Sequence, residues 1–185
     1  VPNLTFGVDF IAAMHRVTKL PLDIHLMVEH PLPIMEAMDI RPGDRISLHV
    51  ELGEQLHELA KAVRARGAHF GLVVNPSTPV EALTPYLDEI EWVILMLVQP
   101  GFAGAKLIDG ILDKVAAARR FLDEHGHPET EISVDGSVSC ERARLMRENE
   151  ELKRIESERT NREQFNADVK RMVDEANEFA KKNPD

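Results

Sequence analysis

The side chains able to do chemistry in this chain sit at the ends of apolar runs. Asp135 follows Ile132-Ser133-Val134 and leads into Gly136-Ser137. A carboxylate at the C-terminal end of a buried strand, with a glycine turn behind it, is placed to act as a general acid or base or to bind a metal. Gly136 and Ser137 offer N–H and hydroxyl donors to an anion at the next helix N-terminus. Taken alone, Asp135 reads as a helix cap or loop tether. His25 interrupts the apolar run Asp23-Ile24-His25-Leu26-Met27-Val28. A lone His in such a run is more often a hydrogen-bonded core residue than a ligand. His49 and Glu51 alternate with Leu48 and Val50, so both point the same way. Asn75 ends a third run, and Met96 and Val98 precede Gln99-Pro100-Gly101-Phe102-Ala103-Gly104. Two glycines around Phe102 permit either an ordinary turn or a loop that closes over a ligand and presents N–H groups. His25 and Asp135 are both potential ligands for a borderline divalent metal, although two ligands do not make a site.

These residues need elements to hold them. Strands are expected at residues 22–28, 45–50, 70–74, 92–98 and 132–134. The 92–98 run is apolar throughout, as when both faces of a strand are covered. Helices are expected at 34–38, 54–66 (closed by Gly67), 78–87 (opened by a Thr78 cap and Pro79), 108–125 and 139–149. The order is a helix followed by repeated β-α units, which predicts a parallel α/β protein. The unit spacing suits a (β/α)8 TIM barrel, with a doubly wound sheet as the runner-up. No GxGxxG or GxxxxGK[ST] loop occurs, which weakens the nucleotide-binding versions of the latter. Residues 150–185 carry no strand signal. Phe165, Val169, Met172, Val173, Ala176, Phe179 and Ala180 share one helical face, and Asn161 with Gln164 resembles a capping box. One domain is expected over 1–185, with a C-terminal helical segment at 150–185 packing on the barrel.

Composition narrows the partners. With 43% hydrophobic and 29% charged residues, the 185-residue chain has enough apolar material for a core. A net charge of −10 argues against nucleic acid or an anionic membrane as partner, yet leaves room for a local anion site built from backbone N–H groups. The single cysteine, Cys140, allows no internal disulfide and points to a reducing, cytoplasmic setting. No run reaches the length of a membrane span. The chain begins Val-Pro-Asn without Met, so its natural N-terminus is expected elsewhere.

Five motifs occur in one register: Val1-Pro2-Asn3-Leu4-Thr5-Phe6-Gly7, Pro21-Leu22-Asp23-Ile24-His25-Leu26-Met27-Val28, Val74-Asn75-Pro76-Ser77-Thr78-Pro79, Val98-Gln99-Pro100-Gly101-Phe102-Ala103-Gly104 and Val134-Asp135-Gly136-Ser137. Together they resemble the ribulose-phosphate 3-epimerase family of TIM barrels over roughly residues 1–148. The resemblance implies removal of the C3 proton of a ketose phosphate, a cis-enediolate, and return of a proton on the opposite face. It implies two carboxylates as base and acid and a divalent metal, Zn²⁺ first with Fe²⁺, Mn²⁺ or Co²⁺ as alternatives. His25 matches a metal ligand. Asp135 matches a metal ligand that is also an acid/base group. Gly101, Phe102, Ala103 and Gly104 match the closing substrate loop, and Gly136 and Ser137 match positions near the phosphate. Met27 and Met96 match apolar residues around the reacting carbons, with gap-filling core Met an equal reading. A homo-oligomer is implied.

There are departures. The family's other His and Asp ligands, the Asp doubling as second acid/base, come from a strand that would precede Val1, and a further strand carrying Ser would precede that. After Asn149 the family's Gly-Ala-Asp, eighth strand and phosphate turn are replaced by Glu150-Glu151-Leu152-Lys153. A barrel with strands missing, and segments lost before Val1 and near Asn149-Glu150, is therefore expected. Gln99 stands where Asn, Asp or Glu is commoner. Ala103 and Ser137 replace glycines and resemble the allulose-6-phosphate 3-epimerase branch. Three functions follow as alternatives: a ketose-phosphate 3-epimerase acting on ribulose 5-phosphate or allulose 6-phosphate, a metal-free phosphate-binding isomerase or decarboxylase, and a non-catalytic sugar-phosphate-binding barrel.

Overall fold

The structure, a computed structural model, describes residues 6–101, 104–141 and 143–144. Five strands form one parallel sheet in chain order: β1 (Asp23–Leu26), β2 (Arg45–His49), β3 (His69–Val74), β4 (Trp92–Met96) and β5 (Glu131–Asp135). Helix α1 (Val8–Val17) precedes them, and α2 (Pro31–Ala37), α3 (Gln55–Arg64) and α4 (Ile111–Glu124) cross between strands. The β3–β4 crossover is a 3₁₀ helix, Val80–Glu89. Of residues 139–185, which form a second unit, only a helical turn is described, with the Ala143 N–H on the Ser139 carbonyl. The expected helix at 139–149 lies mostly outside the described residues. The 150–185 segment, its capping box and the Asn149-Glu150 junction lie wholly outside them.

The doubly wound alternative is overturned. Such a sheet reverses strand order at a switch point, whereas here every strand pairs with its neighbour in sequence. The sheet is also strongly curled. Neighbouring strands lie ~4.8 Å apart, so a flat sheet would hold β1 and β5 ~19 Å from one another. Instead His25 Nδ1 on β1 lies 3.5 Å from Asp135 Oδ2 on β5, and Arg45 on β2 reaches Glu131 on β5 at 3.3 Å. Only a sheet rolled toward a barrel brings these side chains together.

Alternation divides the strands into two faces. Ile24, Leu26, Ile46, Leu48, Phe70, Leu72, Val93 and Leu95 are buried on one face. The other face turns into the curl and carries His25, Ser47, His49, Trp92, Ile94, Met96 and Asp135. Trp92 fills its lower part. Its indole Nε1 donates to Ser47 Oγ at 3.1 Å, and the Arg45 guanidinium lies 4.0 Å above the ring. Gly71, paired with Trp92 across β3–β4, leaves the space this indole occupies.

Several boundaries differ from the sequence expectation. The strand expected at 92–98 stops at Met96, after which the Leu97 N–H still donates to the Asp135 carbonyl at 2.7 Å and Leu97 and Val98 stay buried. The helix expected at 78–87 is the 3₁₀ segment beginning after Pro79. Pro85 inside it has no N–H and breaks an α-helical ladder. The strand expected at 45–50 ends at His49, where Val50–Leu52 forms a 3₁₀ turn. The helix expected at 108–125 starts only at Ile111, after Gly110 at φ 74°. Among the described residues no helix is long and apolar enough to cross a membrane.

Candidate active site

Strand ends position the polar residues. His49 and Asp135 are the last residues of β2 and β5, and His25 is the third of four in β1. His25 Nε2 lies 2.9 Å from His49 Nε2. The ring centroids are 5.0 Å apart with planes inclined by 25°, a separation too wide for face-to-face contact and suited to two rings meeting edge to edge. On its other side His25 Nδ1 faces Asp135 Oδ2 at 3.5 Å. His49 Nδ1 lies 3.3 Å from Glu51 Oε2. The 3₁₀ turn after β2 swings Glu51 back toward His49, so strand alternation is not what aligns the two. Glu51 Oε1 accepts from the Asn75 N–H at 3.2 Å and from the Thr78 hydroxyl. A row of side chains thus runs from Asp135 through His25 and His49 to Glu51.

The loop after β3 is clamped from the other side. Lys114 on α4 donates to the carbonyls of Asn75, Pro76 and Thr78. Burial holds its ammonium below its ordinary pKa, with Glu51 and Glu81 opposing. The His25 ring beside Asp135 keeps that carboxyl below the usual carboxylate range, against burial and with help from the Gly136 N–H. Burial opposes ionisation of Glu51, but hydrogen bonds from His49, Thr78 and the backbone N–H groups of Glu51 and Asn75 prevail and bring its pKa down to about 2.

The Glu51 network has a consequence for acid stability. Its folded-state pKa is depressed from 4.5 to about 2, so its contribution is present above pH 4.5 and is lost as pH falls toward 2. At 1.36 kcal/mol per pKa unit, discounted for a carboxylate one-third exposed, this is about 1–2 kcal/mol. Urea unfolding of the protein and of Glu51→Gln across that window should show wild type losing this margin over the variant. Parallel pH profiles would refute it.

Of the residues expected at the site, His25, Asp135, Met27 and Met96 come together. Met96 pairs with Asp135 across β4–β5, and Met27 packs on the cluster of Val73, Trp92, Ile94, Met96 and Val98. Gly136 follows Asp135 at φ 101°, and a Cβ there would lie 2.4 Å from Val98 Cγ2, so only glycine fits. Gly101 and Gly104 take positive φ, 127° and 78°, as a glycine loop requires. Phe102 and Ala103 lie outside the described residues. Ser137 sits at φ 53°, a left-handed conformation that costs an L-residue about 1–2 kcal/mol. The resemblance puts glycine at this position. His49 and Glu51 were legible as same-facing polar residues, but the contact of His49 with His25 was not.

The pair His25–Asp135 suits a cation. Two ligand atoms each ~2.1 Å from a metal at a tetrahedral angle stand ~3.4 Å apart, and His25 Nδ1 and Asp135 Oδ2 are 3.5 Å apart. Among the described residues no group of three His, Cys, Asp or Glu side chains converges on such a point.

A model described as the ribulose-phosphate 3 epimerase family matches residues 1–151. The ribulose-phosphate 3-epimerase of Bacillus subtilis (strain 168) is 39% identical over 146 residues, covering 79% of this chain and 67% of that protein. That of Treponema pallidum (strain Nichols) is 39% identical over 140 residues, covering 76% and 64%. That of Chlamydia muridarum is 36% identical over 149 residues, covering 80% and 65%. The matched stretch spans about two thirds of the length of these relatives.

Proposed function

The chain belongs to the ribulose-phosphate 3-epimerase family, and from that premise we propose that it interconverts D-ribulose 5-phosphate and D-xylulose 5-phosphate by removing and returning the C3 proton. The observation that carries this reading is the His25–Asp135 pair, 3.5 Å apart at the strand mouth of a curled parallel sheet. The C3 proton is acidified by the adjacent C2 carbonyl. Asp135, kept ionised by its surroundings, is the group that takes it. Inversion needs a second acid on the opposite face, which the resemblance puts outside the described residues. His25 Nδ1 and the Asp135 carboxylate would hold a divalent cation, Zn²⁺ or alternatively Fe²⁺, Mn²⁺ or Co²⁺. When bound, it supplies electrostatic stabilisation to the charge developing on the substrate oxygens. Met27 and Met96 give the reacting carbons an apolar wall that keeps water from competing for the proton. The resemblance puts Gly136 and Ser137 near the phosphate and makes residues 101–104 the substrate loop. A cytoplasmic location and a homo-oligomeric assembly go with this reading.

The test is solvent-deuterium incorporation at C3 in D₂O, followed by NMR with the full chain, with and without chelator. Ribulose 5-phosphate should exchange and allulose 6-phosphate should exchange more slowly. No incorporation with either sugar phosphate would end the epimerase reading.

A further inference from the structure

His25 has two ring nitrogens, and only one of them can serve a cation. Its Nδ1 faces Asp135 and its Nε2 faces His49 Nε2 at 2.9 Å. Two bare nitrogens at that distance would repel, so one of them carries a proton. Two carboxylates compete for the tautomer, Asp135 at 3.5 Å from His25 Nδ1 and Glu51 at 3.3 Å from His49 Nδ1, and the shorter, hydrogen-bonded contact with Glu51 prevails. Glu51 Oε1 accepts from both the Asn75 N–H and the Thr78 hydroxyl, which fixes the carboxylate in place. Its Oε2, an acceptor only when ionised, lies 3.3 Å from His49 Nδ1. His49 must therefore carry its proton on Nδ1. In neutral His49 the Nε2 is then bare and accepts from His25. It follows that His25 is protonated on Nε2, and its neutral form leaves Nδ1 bare toward Asp135.

We propose that His49 and Glu51 are positioning residues that select the His25 tautomer with a free Nδ1, the form able to receive a divalent cation beside Asp135. When His25 is charged, the same relay keeps Nε2–H on His49 and lets Nδ1–H donate to Asp135. When the ring is neutral, a bare nitrogen and a carboxylate face one another, an arrangement that a cation between them satisfies. Ligand histidines are commonly oriented by a hydrogen bond from their second nitrogen. Here that bond passes through a second imidazole before it reaches a carboxylate. The proposal rests on the cation reading given under Proposed function, but its first readout does not depend on it.

The decisive variant is Glu51→Gln. The Asn75 N–H and the Thr78 hydroxyl both demand an acceptor at Oε1, so the carboxamide oxygen must sit there. The amide NH₂ then faces His49 Nδ1, which must become an acceptor. His49 turns to the Nε2–H tautomer, donates to His25, and forces the proton of His25 onto Nδ1. Imidazole ¹⁵N shifts of the metal-free protein, taken where His25 is neutral, should report Nε2–H in wild type and Nδ1–H in Glu51→Gln. Titration with Zn²⁺ should show affinity about 10–100-fold weaker in the variant. Glu51→Asp retains a carboxylate and should recover the wild-type tautomer. A purely structural role for Glu51 would change thermal stability and leave the His25 tautomer alone. The same His25 tautomer in wild type and Glu51→Gln overturns the relay. Failure of wild type to bind Zn²⁺ would instead sink the cation reading, while the tautomer shift would still decide the relay.

Discussion

Asp135→Asn should lower C3 deuterium exchange on ribulose 5-phosphate by about 10³-fold or more. A positioned acid/base group contributes roughly 10²–10⁴-fold, and the amide cannot take a proton at neutral pH. The substitution is isosteric, and Asp135 is only partly buried at the rim of β5. Its thermal midpoint should therefore stay within a few degrees of wild type. Asp135 is proposed both to move the proton and to hold the cation, so the two roles need separating. Zn²⁺ affinity, measured by titration, should fall far less than exchange does, because an amide oxygen remains a usable ligand. Exchange within tenfold of wild type would remove Asp135 from the chemistry. Exchange and Zn²⁺ affinity falling in parallel would reduce it to a ligand.

Gly71→Ala should destabilise the fold by about 3 kcal/mol or more, an effect that owes nothing to the site chemistry. The new Cβ would lie 2.2 Å from Trp92 Cε2 and 2.5 Å from Nε1. The indole has nowhere to retreat. It is 1% exposed, its Nε1 is bound to Ser47 Oγ, and Arg45 lies over its face. Overpacking a core costs roughly 1–3 kcal/mol, and pushing the indole off Ser47 leaves a buried donor and hydroxyl at a further cost of about 1–3 kcal/mol. The denaturant midpoint should drop accordingly. If the indole is the cause, Trp92→Phe and Gly71→Ala will not add. The double variant will be less destabilised than the sum of the singles. Strict additivity would place the strain elsewhere on β3.

The sequence announced all five strands because each is an apolar run bounded by proline, glycine or a charged residue. It misplaced ends where local chemistry competes with the run. Leu97 and Val98 remain buried and apolar, so nothing in their types marks the strand ending at Met96. Pro85 was visible, but its effect over Val80–Glu89 depends on packing that periodicity does not report. Asp135 and His25 could be singled out by position and resemblance. The row through His49 to Glu51 could not. His25 pairs with Ser47, so its contact with His49 is a diagonal across β1 and β2. That depends on inter-strand register, which a single chain read along its length does not specify. Lys114 was hidden for a similar reason. Its three carbonyl partners lie in a loop far away in sequence, and a lysine on an amphipathic helix looks like any solvent-facing charge.

The reach of His25 to Asp135 across the curl also says when in the life of a chain this site can exist. The two residues lie on the first and last strands of the sheet, and closing a loop of that size in one step would cost about 4 kcal/mol of chain entropy. Pairing each strand with its neighbour in sequence divides that closure over four smaller crossovers. A nascent chain that had emerged only as far as β4 would already contain His25 and His49 on β1 and β2 and Glu51 in the turn after β2. It would have no acid to use them with. Among the described residues β5 brings Asp135 last, so a product truncated before it would carry His25 and His49 without that carboxylate.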